Sequence, residues 1–187
     1  CMGSGHILVY AFDVLMQIYT TQGYIERDAA KSIIENNLYG LDINNRAFQL
    51  AYFAVMMKAR QYNRRILNSG VKPNLFAIDD SAVLTNSIIE FIANGNEKLK
   101  RELLSVKDDL YNAKEYGSIV DVVPIDFNGI YLRIDEIKDH FYEDMFDQGN
   151  QRVVVENVLP IVKQAEVMAK KYDVVIFEDD PYGDLLY

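Results

Sequence analysis

The chain has 187 residues, half of them apolar, with a single cysteine and a formal net charge of −9. That length suits one domain with a sizeable core, and one cysteine excludes an internal disulfide framework or a multi-cysteine metal site. No apolar run approaches the roughly 18–20 residues that span a bilayer, and the acidic balance argues against broad electrostatic binding of nucleic acid by this chain alone.

The first stretch, CMGSGH, has two glycines in five residues and carries neither a basic leader nor a small-residue cleavage site, so the chain reads as cytoplasmic. Behind it, HILVYAFDVLMQIYTTQG has helical spacing, with Ile7, Tyr10, Val14, Leu15 and Ile18 able to share one face and Gly23 as a stop. ERDAAKSIIENN predicts a short amphipathic helix. LYGLDI predicts a strand that ends in an acid. NNRAFQLAYFAVMMKARQY is the strongest helix, capped by Asn44 or Asn45 and burying Ala47, Leu50, Ala51, Ala54, Val55 and Ala59. Its end, KARQYNRR, is a modest basic cluster that reads as the polar end of a helix. KPNLFAIDDS predicts a second strand, again closed by acids.

From Ser81 to Gly117 the pattern predicts helices, one stopped at SIIEFIANG and one carrying the leucine stripe of NEKLKRELLSVKDDLYNAKEYG. SIVDVVPID reads as a short edge strand, since proline is unwelcome inside a sheet. LRIDEIKDHFYEDM and VVVENVLPIVKQAEVMAKK predict two more helices, with Pro160 either kinking the second or marking its start. YDVVIFED predicts a third apolar strand. Three apolar strands alternating with helices are the pattern of a parallel sheet covered on both faces, with ligands beyond the carboxyl ends of its strands.

The glycine turn permits close backbone approach at a helix start, which suits a carboxylate or a phosphate, or is simply a tight turn. Asp42 stands 37 positions beyond Gly5. Alone, it reads as a helix cap or a solvated loop acid. Together, loop and acid at this spacing frame a nucleoside-shaped ligand, with the carboxylate on the ribose diol and Ile43 against the base. The Asp79–Asp80 pair at the next strand end is suited to the base's exocyclic amine.

CMGSGHILVYAFDVLMQIY, ENNLYGLDINNRAFQLAYFAVMMKAR and AKEYGSIVDVVPIDF resemble adenine-specific DNA methyltransferases of the phage-growth-limitation (BREX-type) group, near the methylase subunits of restriction systems. The resemblance runs from Cys1 to about Val175. It implies an α/β fold, a Rossmann-like class I S-adenosylmethionine-dependent methyltransferase core, forming a single unit over residues 1–187 with a helical insertion at about 85–160. It also implies that the chain begins just inside the glycine motif, with Cys1 at a cut end. Carried over, Cys1, Gly3 and Gly5 meet the methionine moiety, Asp42 binds the ribose hydroxyls, Ile43 packs on adenine, and Asp80, or else Asp79, contacts the adenine edge. His6 has either a packing role or a cofactor contact. DNA is the implied partner of the full-length protein, with weak or no binding by this chain alone. Other subunits of a defence system are further implied partners.

Such enzymes close the next strand with N-P-P-Y, whose Asn and aromatic ring hold a flipped adenine. Here the chain reads Asp179-Asp180-Pro181-Tyr182. Asp179, Pro181 and Tyr182 are the implied catalytic residues, Asp180 standing where the first proline is expected. AKKYDVVIFEDDPYGDLLY also resembles a short stretch of pyridoxal-phosphate aminotransferases, but no S-x-S-K pattern for a Schiff-base lysine is present. The altered motif leaves room for a second reading, a catalytically silent cofactor-binding or scaffold domain of a defence complex.

Overall fold

A computed structural model describes residues 2–139 and 148–170, which divide between two compact units, one ending at Ile78 and the next beginning at Asp79.

The first unit follows the expected order. Helix α1 (His6–Thr21) starts directly on the glycine turn. Helix α2 (Glu26–Ser32) continues into a π-helical turn at Ile33–Asn37. Strand β1 (Tyr39–Asp42), helix α3 (Asn45–Tyr62) and strand β2 (Asn74–Ala77) complete the unit. The two strands are parallel, with Tyr39 opposite Asn74 and Asp42 opposite Ala77. α3 is the right-length crossover for such a pair, and Asn44 caps it by accepting from the Arg46 N–H. The core lies between the helices and the sheet. It is made by Phe12 and Met16 of α1, Ile33 and Ile34, Ala51, Val55 and Ala59 of α3, and Leu75 of β2.

One helix buries a face other than the expected one, and α3 buries part of its expected face. On α1 the buried residues are Phe12 and Met16, while Tyr10, Val14 and Ile18 are 70%, 40% and 53% exposed. The helix is apolar all round, so periodicity alone could not choose the inner side. On α3 the buried stripe is Ala51, Val55, Met56 and Ala59, and Leu50 faces solvent. Ala51 is the point of this stripe that lies against Gly5 of the glycine loop.

The second unit is helical among the described residues. α4 (Asn86–Ala93) is capped by Thr85 and ends where Asn94 and Gly95 both take positive φ, the expected stop. α5 (Glu97–Asp109) is capped by Asn96, which accepts from the Lys98 and Leu99 N–H groups. A short α6 (Ala113–Tyr116) and α7 (Phe127–Asp139) follow. The stretch expected as an edge strand is instead a 3₁₀ turn at Gly117–Ile119 and irregular backbone to 126. Pro124 breaks any ladder, and the Val123 N–H donates to Asp109 Oδ2 at 3.0 Å. α8 (Gln148–Val153) runs through a π-helical turn, Val154–Val158, into α9 (Leu159–Ala169). Pro160 removes one i→i−4 bond, and the helix absorbs the loss in the wider turn before it. The third expected strand, YDVVIFED, lies outside the described residues.

Candidate functional site

The glycine turn and the end of β1 are joined by hydrogen bonds. Met2 N–H donates to the Leu41 carbonyl at 2.9 Å, so the loop runs beside β1. Gly5 N–H closes the turn on the Met2 carbonyl at 3.0 Å. Gly3 and Gly5 take φ of 52° and 80°, a region costly for other L-residues. At Gly5 space is also decisive: a Cβ there would stand 2.7 Å from Ala51 Cα. Gly5 therefore lets α1 and α3 approach each other, besides shaping the loop. No side chain caps α1, so its first N–H groups are left to solvent or a ligand.

Asp42 is 5% exposed, and both its oxygens are engaged by backbone. Gly3 N–H donates to Oδ2 at 2.9 Å, and Asn44 N–H donates to Oδ1 at 2.8 Å. The carboxylate thus fastens the loop to the tip of β1 and shapes the entry to α3. A carboxylate has about four acceptor positions, so two remain after these bonds. That donor set is compatible with a pair of ribose hydroxyls. Ile43, next along the chain, is 46% exposed and leaves apolar surface open beside Asp42.

Among the site residues named from sequence, the structure brings Gly3, Gly5, Asp42 and Ile43 together in the first unit. Asp80 belongs to the second unit, where its Oδ1 accepts from the Lys114 N–H at 2.9 Å. Asp79 pairs with Lys114 Nζ at 3.1 Å. The Asp79 backbone is held by buried Gln164, which accepts from its N–H at 3.0 Å and donates to its carbonyl at 3.1 Å. His6 is exposed at the start of α1. Cys1, Asp179, Pro181 and Tyr182 lie outside the described residues.

Sequence reasoning missed three supports of this site: Gly40, Ala51 and the Asn44 N–H. A Cβ at Gly40 would stand 2.7 Å from Met2 Sδ and 2.8 Å from Leu75 Cδ2, so this strand glycine admits the loop. The signal was present, because an isolated glycine within a strand marks close approach. Ala51 is small for the same reason, as the seat of Gly5.

No protein-family model matches the chain. It is 56% identical over 82 residues, 44% of its length, to the adenine-specific methyltransferase PglX of Lacticaseibacillus casei (strain Zhang). It is 31% identical over 201 aligned residues, 96% of its length, to the adenine-specific methyltransferase BrxX of Escherichia coli O9:H4 (strain HS). The chain belongs to this PglX/BrxX family of adenine-specific methyltransferases. Its matches span 7% and 16% of those two proteins' lengths. Among the described residues no helix is long and apolar enough to cross a membrane, and no three His, Cys, Asp or Glu side chains cluster as metal ligands.

Proposed function

We propose that this chain is the cofactor-binding part of a Rossmann-like methyltransferase that moves a methyl group from S-adenosylmethionine to N6 of adenine in DNA, within a phage-defence system. The reading is supported by the Gly3 N–H to Asp42 Oδ2 bond, which joins a glycine turn to a strand-end acid. Bound S-adenosylmethionine supplies an electrophilic methyl on a sulfonium. Gly3 and Gly5 keep the loop backbone free of side chains, and the uncapped start of α1 offers N–H donors to a carboxylate. Asp42 accepts from the ribose hydroxyls with its two remaining positions, and Ile43 covers one face of the adenine.

Asp179, Pro181 and Tyr182 are proposed to receive the target adenine, Tyr182 by stacking and Asp179 by accepting from its amine. Positioning of that amine in line with the methyl would then supply much of the rate. DNA, and other subunits of the defence system, are the proposed partners of the longer protein.

Titration calorimetry with S-adenosylmethionine and S-adenosylhomocysteine tests the cofactor assignment. Asp42→Asn, checked for folding by its thermal melt, keeps an acceptor for one backbone N–H and loses charge. A charge-assisted contact is worth about 1.5–3 kcal/mol, so affinity should fall by about tenfold or more. Unchanged affinity in a folded Asp42→Asn protein would remove Asp42 from the site.

A further inference from the structure

At its other end, α3 lines a groove that the methyl-transfer reading does not use. Tyr52, Phe53, Met56, Met57, Leu67 and Val71 line an open groove of about 370 Å³ between α3 and the segment that follows it. The lining is almost wholly apolar, yet Phe53 and Leu67 are 64% and 47% exposed. Met57 adds an unbranched side chain that can repack around different partners, while Met56 belongs to the buried core.

The rim is cationic. Lys72 borders the groove. Arg60 follows Met56 and Met57 by one helical turn on the same side of α3. Arg64 and Arg65 stand in the turn that leads to Leu67. All four are exposed, and none makes an ion pair among the described residues, although ion pairs are frequent elsewhere on the chain. Along the chain, residues 1–78 carry eight Lys and Arg against five Asp and Glu, a net +3.

Asp42 ends β1, and α3 runs back from it through 18 residues. Arg60, Arg64 and Arg65 are therefore about a helix length, roughly 25 Å, from Asp42, while Lys72 precedes β2, whose Ala77 lies opposite Asp42. A duplex would use the cations but gain nothing from a concave thioether and aromatic surface. An amphipathic helix with acidic flanks uses both, laying apolar anchors in the groove and carboxylates on its rim.

We infer that this groove docks an acidic amphipathic helix of a partner protein, independently of whether the chain binds S-adenosylmethionine. The probe is a synthetic labelled helix with Leu and Phe at i, i+3, i+4 and i+7 and Glu elsewhere, followed by fluorescence anisotropy on the whole chain. Comparison probes are its Glu→Lys counterpart and a duplex DNA. The acidic helix should bind more tightly than the basic one, and added salt should weaken it. Phe53→Ser and, separately, Arg60→Glu with Lys72→Glu should each weaken it by on the order of tenfold. These positions are exposed, so the fold should survive, as a thermal melt will report. Equal binding of the two peptides, indifference to both variants, or tighter binding of the duplex through the same four cations would overturn the inference.

Discussion

Gly5 and Gly40 both leave room for a neighbour, but the neighbours differ. At Gly5 a methyl group would meet the α3 backbone at Ala51 while the residue is held at φ 80°. Neither strain can relax cheaply, so Gly5→Ala should cost about 2–4 kcal/mol. At Gly40 the methyl would meet the ends of the Met2 and Leu75 side chains, and φ is not positive. Gly40→Ala should cost about 1–2 kcal/mol. Urea denaturation of both variants measures the difference, and an equal or reversed order would contradict this account of the loop. At this scale the sequence was informative about identity and less so about reason. The glycines and Asp42 could be picked out from their spacing. That Gly5 admits a helix and that Asp42 holds the Gly3 N–H depended on contacts between distant parts of the chain.

Helix ends were legible because caps are local chemistry. The stop at Asn94–Gly95 and the Asn44 cap were read from single residues, and Thr85 and Asn96 act by the same local chemistry although the pattern did not single them out. Which side of a helix is buried was less legible, as α1 illustrates, because Tyr10 and Phe12 are equally apolar as letters. The packing of α7 on α9 was not visible at all, and it yields a pH-dependent element. Tyr131 donates to Glu166 Oε2 at 2.5 Å, and Lys170 pairs with Oε1 at 2.6 Å. Burial raises the Glu166 carboxyl, but the hydrogen bonds from Lys170 and Tyr131, with the charges of Lys170 and Lys163, outweigh it and hold it below its ordinary 4.5. Burial, then the bond to Glu166 and its charge, push the Tyr131 phenol far above its ordinary 10.0. A depressed carboxyl contributes stability that is present above its unfolded pKa and lost as pH falls through the folded one. A raised phenol contributes stability that is complete below its unfolded pKa and lost as pH rises beyond it. Thermal melts across pH should therefore show a shallower alkaline loss above about pH 10 for Tyr131→Phe. Glu166→Gln should shallow the acid loss below about pH 4.5. Melting curves of parental pH dependence in both variants would contradict the assignment.

For the molecule as a whole, the order of glycine loop, helix, strand, helix and strand was readable, because each boundary coincides with a change in apolar period. The division at Ile78 was not. It falls within NLFAIDDS, where no linker composition marks it. Nor does a net charge of −9 reveal that residues 1–78 carry a net +3. The central claim, that loop and acid form one S-adenosylmethionine site, concerns two amides bound to one carboxylate. Amide NMR of the ¹⁵N-labelled chain during titration with S-adenosylhomocysteine reports on both directly. Gly3 and Asn44, the two donors to Asp42, should shift together and saturate at one equivalent. Saturable binding that leaves both amides unmoved, or no binding at all, would contradict the claim.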